Sequence, residues 1–409
     1  MAMNPANPGP TLNPADTVII GGGVIGLTLA LEGKRRHPDA SIVVLEKDDV
    51  GAHASGRNSG VLHAGFYYTA DSLKARLSVE GNRRLTEYCL EKGLGINRCG
   101  KLVVASDASE VAGVDELLRR GKVNGVDVRP VTEAEARELE PRVKTVERAL
   151  WSPTTSSVDP AEVMRALADD ARAMGVDIRT GTAYLGYEDG VVRTTGGGIP
   201  TGYLVNAAGV YADRVARALG FSERYRILPL KGVYLYSDDP PGAFRRHIYP
   251  VPNLNNPFLG VHYTVAVNGK AKIGPTAMPA FWREHYDGLE NFRPGELLDI
   301  VGREARLFLK NDFGFRRIAV DEIRKSFRSV LVKRAARLAT GVRLEDYRTW
   351  GRPGIRAQLL DLETGAFEMD FRYEGDDRSF HVLNAVSPAF TCSLPFAALC
   401  WDEIEKRTG

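Results

Sequence analysis

Cysteine is scarce in this chain: only Cys89, Cys99, Cys392 and Cys400 occur among 409 residues, and none sits in a CxxC or Cys/His metal spacing. Disulfide frameworks belong to small secreted chains, so reduced thiols in a cytoplasmic setting are expected, with no metal site. Charge of one sign is also missing, since 54 Lys and Arg stand against 52 Asp and Glu for a net +2. A near-neutral chain carries no global field toward nucleic acid, and no such partner is expected. No window reaches the ~18 uninterrupted apolar residues that span a bilayer. Residues 1–14 are rich in Pro and Asn but lack a basic stretch followed by an apolar one, so they read as a disordered tail without a secretory signal. Internal repeats of fixed period are absent as well. What remains is a globular composition, 44% apolar and 26% charged, in a chain long enough for two domains sharing a large core.

The N-terminal part carries the clearest pattern. DTVII (16–20) reads as a buried parallel strand running into glycines, residues 24–36 as a helix that stops before Pro38, and SIVVL (41–45) as a second strand followed by Glu46 and Lys47. Strand, glycine turn, helix, strand and acid make a βαβ unit with the dinucleotide fingerprint Gly21-x-Gly23-x-x-Gly26. Gly21 makes the tight turn, Gly23 lets a pyrophosphate approach the backbone, and Gly26 lets the helix sit close to the strand, with Val24 and Ile25 opening it. The helix N-terminus offers N–H groups and a positive dipole end to the diphosphate, while Glu46 can accept from a ribose diol. This fingerprint leaves NAD and FAD equally open. The run Ala54-Ser55-Gly56-Arg57-Asn58-Ser59-Gly60 favours FAD, because small and polar residues suit an extended segment along a phosphate, ribityl and ring.

Further on, 73–92 and 161–173 read as helices, and 101–105, 176–179 and 203–206 as strands. Residues 228–273 read as a separate sheet, 295–338 as mostly helical, 380–383 as a strand and 393–406 as a last helix. The pattern predicts an α/β fold (α+β, two domains): a Rossmann-like nucleotide domain in pieces, with an inserted mixed β-sheet substrate domain and a helical cap. The expected nucleotide domain comprises 15–75, 150–215 and 350–409, and the substrate and cap domain 76–149 and 216–349.

HASGRNSGVLHAGFYY (53–68) resembles a signature of the L-2-hydroxyglutarate dehydrogenase/oxidase family, within the D-amino-acid-oxidase-like flavoproteins. The resemblance continues in SLKARL (72–77), GKL (100–102), VNAAG (205–209), Lys231-Gly232-x-Tyr234, IYPVP (248–252), LGVHYT (259–264), GIRAQ (354–358) and HVLNAVSP (381–388). It implies FAD in the Rossmann-like domain, substrate over the flavin under a sheet and cap, and oxidation of a 2-hydroxy acid to a 2-oxo acid. It implies that Asn58, Ser59 and Gly60 run along ribityl and ring, that Ala207, Ala208 and Gly209 close over the cofactor, and that Val176–Ile178 passes the adenine. The loop 384–391, with Asn384, Ser387, Pro388 and Ala389, would meet the pyrimidine end. No cysteine falls where covalent relatives attach flavin, so FAD is expected to be non-covalent.

Flavin oxidation of an alcohol needs a base for the hydroxyl proton, a hydride path and cations for the carboxylate. Histidine is the natural base near neutral pH. His63 and His262 sit in the family motifs and stand equal as base, although His63 could instead orient the flavin or attach to it. His37 and His285 flank helices and read as surface groups. Arg356 is the expected carboxylate clamp, placed in a glycine-rich turn (GRPGIRA) and suited to bidentate pairing, with Arg352 as alternate. Tyr249 and Lys231 are candidates for a second carboxylate or for orientation.

Residues 316–348 carry ten Lys/Arg against four Asp/Glu, with Ile323, Phe327, Val330 and Leu331 at helical spacing. Such a segment is either a cap helix with a solvated basic face or a patch for an anionic membrane surface. The segment 277–311 has no recognisable counterpart, and substrate choice is expected to be made in the cap, whose divergent part is 277–348. The expected partners are a small anionic substrate and an electron acceptor, oxygen or a quinone. Competing with hydroxy-acid oxidation are an amino-acid or amine oxidase of the same superfamily, a non-catalytic dinucleotide-binding protein, and an NAD-dependent dehydrogenase.

Overall fold

Two large sheets are tied by one long antiparallel strand pair in the computed structural model, which describes residues 10–252, 259–311 and 314–409. The first is built on β1 (Ala15–Ile20), α1 (Val24–Arg36) and β2 (Ile42–Leu45). β1 pairs in parallel with β2 on one side and with the strand Gly197–Asn206 on the other. Asp177–Arg179 extends the sheet in parallel beyond β2, Ser379–Asn384 does so on the other flank, and Arg372–Gly375 closes that edge antiparallel. Parallel strands need crossovers that cover both faces, which is why β1 and β2 read as unbroken apolar runs. One face packs on α1 and the helices Leu73–Glu91, Pro160–Ala173 and Ala389–Thr408. The other packs on Val192, Ile199 and Val215.

The second sheet has eight strands, in the order Thr349–Trp350, Leu235–Tyr236, Ala271–Gly274, His262–Val265, His247–Pro250, Lys101–Val104, Arg148–Ser152 and Arg129–Thr132. It is antiparallel except where His247–Pro250 meets Lys101–Val104. The strands Tyr225–Gly232 and Gly354–Asp361 run side by side over eight pairs and join the two halves.

Several expected boundaries differ. The helix Leu73–Glu91 packs as a unit in the core around α1, so a division at 75 would cut through it. Residues 10–12 lie along the strand Gly197–Asn206, with Leu12 N–H donating to the Gly198 carbonyl at 2.8 Å, so the last part of the expected tail is ordered, while residues 1–9 lie outside the described residues. The last helix begins at Ala389, and the strand 203–206 extends back to Gly197.

The helical cap comprises Pro294–Lys310, Phe315–Lys325 and Arg328–Ala335. The expected single amphipathic run breaks at Ser326–Phe327; Leu331 is buried as its spacing predicts, but the polarity is inverted around the break. Ile323 and Phe327 face solvent, at 48% and 62% exposure, while Glu322 and Lys325 are buried. Tertiary position overrides the helical pattern here, because the side turned inward faces the cavity that Glu322 and Lys325 line.

Ahead of these helices, the Arg283 guanidinium makes a bidentate pair with Asp213, 2.7 and 2.9 Å, both side chains being fully buried. Arg283 also donates to the Val210 carbonyl, and Asp213 accepts from Ile227 N–H at 3.1 Å. Glu296 adds a second tie by accepting from Arg283 N–H and pairing with Arg214. Removing one partner of such a pair leaves a desolvated charge behind. Arg283→Met is therefore expected to destabilise the protein by about 3–5 kcal/mol, read as a lowered urea midpoint with unchanged slope.

Candidate active site

A cavity of about 810 Å³ runs from the glycine turn after β1 to the second sheet. At its nucleotide end, Gly21 adopts φ +108°, and a Cβ on Gly26 would lie 1.8 Å from the Gly21 carbonyl oxygen. Only glycines let the helix start this close to the strand. Gly21, Gly23, Val24 and Ile25 line the cavity, so the N-terminus of α1 opens on it. Gly26 does not line it, since its part is the close contact beneath. Glu46 is held by two backbone donors, Gly22 N–H at 2.9 Å and Asp48 N–H at 3.0 Å, with lone pairs left for a diol. Lys47 lines the cavity too and pairs with Glu284 at 2.8 Å.

The loop after β2 wraps the middle of the cavity. Ser55 Oγ accepts from Val24 N–H at 2.9 Å and so fastens the loop to the fingerprint helix. Arg57 lies flat over the Tyr286 ring at 4.1 Å and donates from Nε to the Ala52 carbonyl. Asn58 shapes the turn by accepting from Gly60 N–H at 2.8 Å. Ser55, Arg57, Asn58 and Ser59 face the cavity, whereas Gly60 packs against Val158. Opposite them stand Ala207, Ala208 and Gly209, and at the far end Ser387, Pro388 and Ala389 at the start of the last helix.

Two expected contacts lie elsewhere. Val176 is in the core under α1, and Thr182 and Ala183 line the cavity in its place, beyond the end of the strand Asp177–Arg179. Asn384 is fully buried, and its amide donates to the Glu368 and Asp370 carbonyls.

The substrate end is formed by His63, Tyr234, Tyr249, His262 and Arg356. Tyr249 and His262 sit on neighbouring strands and stack with centroids 3.7 Å apart. Nδ1 of His262 donates to the Gly260 carbonyl at 2.9 Å, which fixes the tautomer and leaves Nε2 with a free lone pair. Burial, reinforced by Lys101, lowers the His262 imidazole to about 3, so it stands neutral. His63 is also buried and held well below the usual range, but its Nδ1 has no hydrogen-bond partner among the described residues. His262 is thus the better defined acceptor of a proton.

Arg356 sits on the strand Gly354–Asp361, opposite Leu230, rather than in the turn its glycines suggest. Arg356 is partly buried, desolvation lowers its guanidinium below the usual range, and its Nε donates to Gln358 at 3.1 Å. Arg352 is exposed and off the cavity. Lys231 points away as well: Leu230 and Gly232 face in, so the strand's two-residue period turns Lys231 toward His285 and Asp287. His285 is half-buried and stacked on Trp282 at 3.8 Å, not a free surface group, while His37 is exposed.

Sequence reasoning missed Lys101 as a neighbour of the site. It is fully buried, 4.2 Å over the Tyr249 ring, with no hydrogen-bond or carboxylate partner among the described residues. Burial lowers its ammonium to about 7. Lys272 repeats the arrangement over Tyr234 at 4.6 Å. Glu284, Tyr286 and Arg293 of the unmatched segment also line the cavity, and no local motif marks them.

The comparisons with known proteins agree with this geometry. The family model described as "FAD dependent oxidoreductase" (DAO) matches residues 16–400. The chain belongs to this FAD-dependent oxidoreductase family. It is 35% identical over 418 residues to the mitochondrial L-2-hydroxyglutarate dehydrogenase of Bos taurus, covering 96% of this chain and 89% of that protein. With the L-2-hydroxyglutarate dehydrogenase of Escherichia coli (strain K12) it shares 34% over 392 residues, covering 94% and 91%. Among solved structures, an FAD-bound L-alpha-glycerophosphate oxidase from Mycoplasma pneumoniae aligns with TM-score 0.76 at 21% identity, covering 96% and 95%. A glycine oxidase from Geobacillus kaustophilus aligns with TM-score 0.70 at 21%, covering 97% and 96%. The cofactor of this family is FAD, and the glycine cradle, the helix N-terminus and Glu46 all fit it.

Burial of these imidazoles has a consequence for stability. His262 is lowered to about 3 and His381 to about 4, both mainly by desolvation. Between those values and 6.5 the unfolded chain binds the extra protons, so stability is present above pH 6.5 and is lost on acidification. Urea unfolding of the flavin-loaded protein should show a loss on the order of 3–5 kcal/mol from His262 between pH 6.5 and pH 3. In His262→Asn the slope of stability against pH should flatten, and an unchanged slope contradicts this assignment.

Proposed function

We propose that this FAD-dependent oxidoreductase oxidises a 2-hydroxy acid, L-2-hydroxyglutarate or a close dicarboxylate, to the 2-oxo acid. What carries the proposal is the placing of a desolvated Arg356 and a neutral, tautomer-fixed His262 on one cavity, at the end remote from the fingerprint. Arg356 pairs with the carboxylate beside the carbinol carbon. His262 takes the hydroxyl proton at Nε2, with His63 as the neighbouring imidazole. The flavin, when bound, would supply the electron sink for the hydride of the carbinol carbon.

Lys101 and Lys272 are buried cations set on tyrosine rings. A carboxylate bound near His262 raises the proton affinity of its imidazole. Tyr249 holds the imidazole in plane by stacking. No cysteine lines the cavity among the described residues, which supports non-covalent FAD, and the four thiols are free and buried, as suits a reducing compartment.

The cap supports a finer proposal about the partner. Among the described residues no helix is long and apolar enough to cross a membrane. Leu298, Leu309, Ile323 and Phe327 are nonetheless solvent-exposed on adjacent cap helices, among exposed Arg306, Lys310, Arg317 and Arg324. Apolar side chains interleaved with cations suit an anionic bilayer surface and a quinone acceptor within it. The protein should cosediment with vesicles containing anionic lipid and not with neutral ones, and Leu309→Glu with Phe327→Glu should abolish this.

The reaction is tested by anaerobic bleaching of the bound flavin against 2-hydroxy acids and amino acids. L-2-Hydroxyglutarate should bleach it, and His262→Asn should slow reduction by about 10²-fold or more. Bleaching by amino acids alone favours an amine oxidase. Undiminished rates in both His262→Asn and His63→Asn sink the mechanism.

A further inference from the structure

The helix Phe315–Lys325 hangs an ion pair into the cavity where a cap helix ordinarily buries apolar side chains. Glu322 and Lys325 are 2% and 3% exposed, and both line the cavity. Lys325 Nζ donates to Glu322 Oε1 at 2.5 Å and lies 3.3 Å from Asp321, which also pairs with Arg334. Glu322 Oε2 accepts from Ala277 N–H at 2.9 Å.

That last bond locates the pair. Ala277 lies three residues after Gly274, which pairs with His262 across the second sheet. It also precedes Met278, which pairs with Lys231, itself opposite Ile355 and so one residue from Arg356. Glu322 and Lys325 therefore lie between the strand that bears His262 and the strand that bears Arg356. Their electrostatic reach agrees, Lys325 acting on His262 and Glu322 on Arg356.

Stability does not account for an ion pair in this position. Well-packed apolar side chains of similar volume generally do as well or better than a buried pair. This helix leaves Val320 and Ile323 in solvent while it buries two charges. An ammonium has three N–H donors, and Glu322 and Asp321 engage two, leaving a third for whatever enters the cavity. A substrate with a single carboxylate, held by Arg356, has no use for it. A second carboxylate at the far end of the same molecule does.

We propose that Lys325 is a specificity-determining residue that binds the distal carboxylate of a 2-hydroxy dicarboxylic acid, with Glu322, anchored on Ala277, aiming its ammonium. The inference rests on the reading of Arg356 as the clamp for the first carboxylate of a 2-hydroxy acid. It assigns substrate choice to the cap, and to one ion pair within it.

Lys325→Met alone would strand Glu322 as an unpaired buried carboxylate, so the decisive variant is the double replacement Lys325→Met with Glu322→Gln. Both charges go, and the glutamine oxygen still accepts from Ala277 N–H. Anaerobic flavin reduction is measured in the flavin-loaded protein with L-2-hydroxyglutarate and with L-2-hydroxyvalerate, which has the same chain length without the distal carboxylate. The preference for the dicarboxylate, expressed as the ratio of half-saturating concentrations, is expected to fall ~10-fold or more, the worth of one charge-assisted hydrogen bond. A ratio within about twofold of the unaltered protein's overturns the inference. Flavin in the unaltered protein that neither acid reduces overturns the reaction assignment, and this inference with it. A reduced flavin with unaltered preference overturns this inference alone.

Discussion

Desolvated positive charge is the constraint on which the substrate half of this molecule depends. Lys101 and Lys272 are buried and Arg356 is partly so, and the two lysines lie against tyrosine rings rather than carboxylates. Cations placed over aromatic faces are partly stabilised, but far less than in water. Burial, with Lys101 adding to it, keeps His262 and His63 neutral, which is the state a base must have before it meets its proton. A carboxylate ligand at this end of the cavity meets cationic groups and a neutral imidazole together.

The nucleotide half rests on a different constraint, close approach. Gly26 against Gly21 brings the helix N-terminus to the mouth of the sheet, and Ser55 then fastens the following loop to Val24. That loop carries Arg57 and Asn58 to the middle of the cavity and leads through the strand Val61–Leu62 to His63. The chain thus runs from diphosphate cradle to candidate base within some forty residues, Gly21 to His63. The strand pair Tyr225–Gly232 and Gly354–Asp361 then fixes Arg356 relative to both sheets.

What was legible in the sequence was what is local. The spacing of Gly21, Gly23 and Gly26, the helix over 24–36 and the acid at 46 are set by short-range geometry, and the structure places them where the pattern puts them. Family likeness added the FAD and the region of the site. Features that depend on long-range pairing were not legible. Arg356 looked like a turn residue because of its glycines and proline, yet eight cross-strand pairs hold it extended. Lys231 looked like a site residue because the phase of its strand cannot be read from one segment. The cap helix looked conventionally amphipathic, and the cavity onto which it turns Glu322 and Lys325 is assembled from distant segments that no local pattern reveals. Lys101 stands in an apolar stretch, and nothing local announces an ammonium without a counter-ion.

The most direct test of the central claim is a crystal structure of the flavin-loaded protein with the 2-oxo dicarboxylate product. The account predicts one carboxylate on the Arg356 guanidinium, the oxo oxygen facing His262 Nε2 and the second carboxylate on Lys325. A product bound away from Arg356, or with its oxo group facing away from both His262 and His63, would contradict it.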